Sequence, residues 1–135
     1  MTGAVRLRPC GRGSCVSTQA ARTDPLHRLE PLPIAVPTAT ALRAVLAVLA
    51  RVARLQVLER DERSVHAVAR SALLRIPFDL ELMVERAQDA HGTDETHGWL
   101  HLRASTPLAL RERSQARTRA VELFALIGRE LRALG

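Results

Sequence analysis

From Phe78 to Glu85 the chain alternates residue by residue. Leu80, Leu82 and Val84 fall on one side, and Asp79, Glu81, Met83 and Glu85 on the other. A period of two is that of a strand with one buried face. Trp99 to Ser105 repeats it, with Leu100, Leu102 and Ala104 inward and His101, Arg103 and Ser105 outward. Between them lies AQDAHGTDETHG, read as a polar loop ending near Gly98. Consecutive strands joined by a loop pair antiparallel. The register that keeps both apolar faces together sets Leu82 opposite Leu102 and Leu80 opposite Ala104. It also sets Glu81 opposite Arg103 and Asp79 opposite Ser105. A slip of one residue would turn charges into the core, so the pattern fixes the register modulo two.

Two shorter strands come before this pair. Leu55 to Arg60 is apolar, and Asp61-Glu62-Arg63-Ser64 is a polar turn. Val65 to Leu74 carries His66, Val68 and Arg70 on one face, and a break follows at Ile76-Pro77. Upstream, Leu42, Val45, Leu46, Leu49 and Val52 follow helical spacing, with Arg43, Arg51 and Arg54 pointing elsewhere. This predicts a core helix of about four turns, capped by Thr38 or Thr40. From His27 to Pro37 the prolines at 31, 33 and 37 exclude a helix and leave an extended segment or edge strand. At the other end Pro107 ends the last strand and Ser114 is the expected cap of a final helix. Its buried stripe reads Val121, Phe124, Ile127, Leu131 and Leu134, and Gly128 allows close packing against the sheet. Residues 1–25 have no apolar period and read as a flexible arm, and residues 26–135 as a single domain. The expected fold is α+β: a four- or five-stranded antiparallel sheet with two helices packed on one face.

Composition changes this picture in a few places. The formal charge is +6, and all twenty basic residues are arginine; lysine, asparagine and tyrosine are absent. Those codons are AT-rich, so the bias points to a GC-rich coding sequence and weakens any argument from charge. Nucleic-acid binding is disfavoured, because no basic stripe is clustered and two Phe and one Trp supply no stacking platform. No apolar run reaches the length of a membrane span. Residues 1–20 lack the apolar core of a secretion signal, so cytoplasm is the default location and the cell envelope the alternative. Cys10 and Cys15 either close a small disulfide loop in an oxidising compartment or remain free thiols on the arm. A zinc site would need two more ligands at a finger-like spacing.

Three separate motifs carry a resemblance. CVSTQ spans Cys15 to Gln19 and is followed by Asp24, His27 and Pro31-Leu32. ALLRIPFDLEL keeps Asp79 and Glu81. Arg103, Ser105 or Thr106, Arg117 and Arg119 follow in order and without gaps, with Glu112 at an acidic position. The chain resembles the domain of unknown function 1499 family over roughly residues 15–134. It departs from the family pattern at Phe78, Pro107, Ala109, Ser114 and Ala116. The resemblance brings no activity, cofactor or catalytic residue with it.

The candidate site is therefore Asp79, Glu81, Arg103, Ser105 and Arg117, with Glu112 and Arg119 nearby. Arg103 offers a planar fork for carboxylate or phosphate, and the last helix would add its N-terminus. The same residues also make a structural ion-pair network, Glu81–Arg103 across strands. His91, Asp94, Glu95, His97 and His101 match no metal spacing, so no metal or cofactor is expected. Cys15 and Ser105 as nucleophiles, and His27, His66 and His101 as bases, lie in no catalytic motif. These readings favour a non-catalytic module binding an anionic small molecule, lipid headgroup or protein. The alternative is a structural domain that forms homo-oligomers through its open sheet face. A hydrolase built around Asp79 and His101 is a third reading.

Overall fold

The strict alternation in the two long strands sets the frame. The computed structural model describes residues 7–10, 14–70, 76–106 and 115–134. β5 (Pro77–Asp89) and β6 (Gly92–Thr106) pair antiparallel, with Leu82 opposite Leu102, Leu80 opposite Ala104, Glu81 opposite Arg103 and Asp79 opposite Ser105. This is the register the apolar pattern requires. The loop expected between them is instead mostly strand. Beyond a register shift at Arg86/Ala87 the two strands continue as a ribbon, pairing Ala87 with Asp94, Gln88 with Thr93 and Asp89 with Gly92. Its polar residues stand clear of the core, so no alternation marks it, and Gly92 supplies the positive φ of the turn.

The remaining strands are β1 (Ser14–Ser17), β2 (Leu32–Ile34), β3 (Leu55–Arg60) and β4 (Ser64–Arg70). The sheet runs β1-β6-β5-β4-β3, and β2 also pairs with β6, which makes six strands among the described residues rather than four or five. β1 takes the end of β6 and β2 its middle, Ser17 opposite Arg103 and Leu32 opposite Leu100. The expected arm is thus corrected from Ser14 onward: SCVS is a fully buried strand. Four residues are too few to show a period. At the β3–β4 turn Asp61 Oδ1 accepts the N–H of Arg63 and of Ser64, and these bonds hold its carboxyl below the usual aspartate range.

Both helices cover the apolar face of the sheet. α1 (Thr38–Leu49) buries Ala41, Leu42, Ala44, Val45, Val48 and Leu49. It is shorter than four turns, and its N-cap position is Pro37, without a side-chain cap, rather than a threonine. α2 (Gln115–Leu134) buries Ala116, Ala120, Leu123, Phe124 and Ile127, while Val121 and Leu134 are exposed. The stripe read from the large residues was rotated, because small alanines hold the closest approach. Gly128 does not pack on the sheet: a Cβ there would meet only the Arg132 side chain, at 3.6 Å. Ser114 and Pro107 lie outside the described residues. The core joins Val16, Ala67, Leu80, Leu82, Leu100 and Leu102 of the sheet to Val45, Leu49, Phe124 and Ile127 of the helices.

Candidate functional site

The alternation that buries Leu80, Leu82 and Leu102 turns Asp79, Glu81, Arg103 and Ser105 to the opposite, outer face of the sheet. There Arg103 Nη1 lies 3.3 Å from Asp79 Oδ2 and from Ser105 Oγ, and 3.6 Å from Glu81 Oε1. Its Nε donates to the Pro9 carbonyl. Arg103 is only 9% exposed, so its fork is spent inside the protein. Two further residues complete the group. His66 Nε2 is 2.7 Å from Asp79 Oδ1, delivered by the Asp79–Val68 and Glu81–His66 pairing of β4 with β5. Arg8 bonds Asp79 Oδ2 at 2.7 Å and also Glu81 Oε1. The Glu81 bond, with Asp79 beside it, holds the Arg8 guanidinium above its ordinary range. Arg8 arrives from far upstream, and no spacing in the sequence announces it.

The other expected site residues are elsewhere. Arg117 Nη2 donates to the carbonyls of Pro25 and Leu26, tying α2 to the loop after β1. Arg119 stacks over the Phe78 ring at 5.1 Å on the helix side of the sheet. Glu112 lies outside the described residues. The predicted constellation is therefore divided between the two faces of the sheet.

Among the described residues none of the expected nucleophiles hydrogen-bonds an expected base: Ser105 Oγ accepts from Arg103, and His66 pairs with Asp79. Cys15 is bonded to Cys10, which resolves the alternatives left by the sequence in favour of a disulfide. His27 pairs with Asp24 through Nδ1 at 2.8 Å, and this bond holds the Asp24 carboxyl below its usual range. His101 does not meet Asp79. Its Nδ1 is 2.7 Å from Thr18 Oγ1 and its Nε2 is 2.9 Å from Glu85 Oε1. A hydroxyl, an imidazole and a carboxylate in line invite a catalytic reading. Thr18, however, is 2% exposed, and its Oγ1 also accepts the Leu102 N–H at 3.0 Å. A buried hydroxyl already accepting a backbone bond braces the sheet edge and offers no approach to a substrate. In the ribbon, Asp94 binds Thr96 and His97.

A cleft on the helix side was not apparent from the sequence. It has a volume of about 520 Å³ and lies between α2 and the ends of β4 and β5. Ala69, Phe78, Leu80, Leu123 and Leu126 give it apolar walls, and Arg54, Arg70 and Arg119 stand around it. Among the described residues no carboxylate pairs with these three arginines, although Glu122 also lines the cleft. Arg54 sits at a φ of 57° after α1, and its Nε donates to the Arg70 carbonyl. The guanidinium groups come from a helix end, a strand end and a second helix, so no local motif could have signalled them.

Among the described residues no helix is long and apolar enough to cross a membrane. No curated protein matches the chain. A family model described as protein of unknown function (DUF1499) matches residues 6–106. That range includes Arg8, CVSTQ, Asp24, His27, His66, Asp79, Glu81 and Arg103, and it stops short of α2 with Arg117 and Arg119. It starts earlier and ends earlier than the resemblance read from the motifs. Three quarters of the chain is matched, and the protein belongs to this family of unknown function.

Proposed function

We propose that the protein is a non-catalytic binding module for a ligand that joins an anionic group to an apolar portion, such as a carboxylate or phosphate amphiphile. The observation that carries this reading is the cleft of Arg54, Arg70 and Arg119. Three cations that pair with no carboxylate among the described residues surround an apolar floor of a size suited to a small ligand. Guanidinium groups bind carboxylate and phosphate oxygens through charge-assisted hydrogen bonds. Phe78 and Leu123 would take the apolar part, which inorganic phosphate lacks.

Arg103 has a different place in this reading. Its bonds to Asp79, Ser105 and Pro9 leave it tying the N-terminal segment to the sheet. The three cleft arginines, which pair with no carboxylate among the described residues, suit an anionic ligand better.

A thermal-shift titration with decanoate, a phosphate monoester of a similar chain and inorganic phosphate tests the reading. The two amphiphiles should raise the melting midpoint. Arg70→Ala and Arg119→Ala should each weaken binding about tenfold, the worth of one charge-assisted bond. Arg103→Ala should lower stability and leave the ligand-induced shift in place. Absence of a shift with either amphiphile, or a shift that survives both cleft substitutions, would exclude the cleft as the site.

A further inference from the structure

Residues 7–10 lie along the outer face of the sheet, and each is attached to it. The Leu7 N–H donates to Gln19 Oε1 at 2.7 Å, and the Leu7 side chain is buried. The Arg8 guanidinium reaches Asp79 and Glu81, with its Nη2 3.4 Å from His66 Nε2. The Pro9 carbonyl accepts from Arg103 Nε at 3.3 Å. Cys10 is bonded to Cys15 of β1. An amide of one residue, a side chain of the next and a carbonyl of the third are the groups a receptor reads in an extended peptide.

We propose that this face is a binding site for an extended, arginine-bearing peptide segment, occupied in cis by Leu7-Arg8-Pro9 and kept occupied by the Cys10–Cys15 disulfide. The charges fit such an occupant. Without the segment, Asp79 and Glu81 face Arg103 and the His66 ring, leaving one carboxylate in excess of the guanidinium groups. The planar fork of a guanidinium spans two carboxylates two residues apart on one strand, whereas the compact charge of lysine does not. The clefts on either side carry acidic groups among mixed linings: Asp24 and Glu85, with His27, in one of about 760 Å³, and Glu59, Asp61 and Glu81, with Arg60 and His66, in one of about 490 Å³. They leave room for the flanks of a basic peptide, although the chain as a whole is cationic.

Tethering explains why the segment stays. Arg8 is 58% exposed on its side chain, and an ion pair so open to water holds little by itself. Rebinding is intramolecular in either redox state, and the disulfide shortens the tether and so raises the effective concentration of the segment. A dithiol reductant transfers two electrons to the Cys10–Cys15 bond. Two protons are taken up, two thiols form and the reductant closes its own disulfide. The segment then competes from a longer tether.

The test uses the full chain and a fluorescein-labelled Ala-Leu-Arg-Pro-Ala peptide, followed by polarisation. Binding should be at least tenfold tighter with dithiothreitol than in the oxidised chain, and tighter again for reduced Arg8→Ala. Peptides carrying Ala or Lys in place of Arg should not compete. Equal binding in both redox states, or competition by the Ala or Lys peptide, overturns the proposal. If reduction unfolds the chain, oxidised Arg8→Ala replaces it, with N-acetylarginine amide as probe and the His66 ring signals in NMR as readout. A saturable shift of those signals supports the site, and an unchanged spectrum rejects it. The arginine cleft lies on the other side of the sheet, so either result leaves the amphiphile titration independent.

Discussion

Thr18 continues the β1–β6 ladder with its side chain. Its N–H donates to the Leu102 carbonyl, and its Oγ1 accepts the Leu102 N–H where a backbone carbonyl would otherwise stand. The chain can therefore leave the sheet one residue early without orphaning a buried donor. Thr18→Val keeps the shape and removes the acceptor, stranding the Leu102 N–H and one ring nitrogen of His101. A cost of about 2 kcal/mol is expected, with Thr18→Ser close to the parent, measured by urea denaturation. Equal stability of the two variants would show that the brace contributes nothing. At this scale the sequence disclosed pairs set by alternation, Glu81 with Arg103 and Asp79 with Ser105. It did not disclose Arg8, 71 residues before Asp79, or His66, 13 residues before it, because contacts between separate elements leave no period. Arg117 and Arg119 were expected together with Arg103. Their helix covers the other face of the sheet, which strand spacing alone does not specify.

Elements were legible wherever burial imposed a period, and blurred where it did not. β5 and β6 were placed by their apolar faces, but their outer ribbon was read as a loop because nothing there is buried on one side. α2 was recognised while its buried stripe was misjudged, since Ala116 and Ala120 lie flush against the core and Val121 faces water. Two glycines separate these cases by experiment. At Gly98 a Cβ would meet the Glu85 carbonyl at 2.2 Å, a backbone contact that must be relieved by moving the hairpin at its register shift. Gly98→Ala should therefore destabilise by about 2 kcal/mol or more, as overpacking does. At Gly128 a Cβ would make only an ordinary contact with the flexible Arg132 side chain, so Gly128→Ala should stabilise by up to about 1 kcal/mol through helix propensity. Melting midpoints that move in the same direction for both would contradict this account of the two positions.

For the molecule as a whole, the α+β class and the placing of both helices on one face followed from element order and amphipathicity. β1 did not follow in this way, whereas β2 falls within the His27–Pro37 segment that the prolines mark as extended or edge strand. β1 and β2 are four and three residues long, and each is stabilised by the single long strand β6 that it joins. Four residues without an apolar period leave β1 no local signal apart from its partner, whereas the prolines around β2 mark it as extended. The same feature has a consequence in time. Cys15 pairs with Ser105, about ninety residues later, whereas β3, β4, β5 and β6 pair with sequence neighbours. Closing the larger loop costs more chain entropy, so the local hairpins should form first. In pulsed hydrogen exchange during refolding, the Leu80 and Leu82 amides should be protected before those of Val16 and Ser17; the reverse order would place β1 in the folding nucleus. On the ribosome, then, β1 emerges ahead of the other described strands and waits for nearly all of them to be made. Until β6 arrives, the SCVS segment, buried in the finished sheet, must be kept from other partners, and the six-residue disulfide loop to Cys10 is a constraint it can carry before the sheet forms.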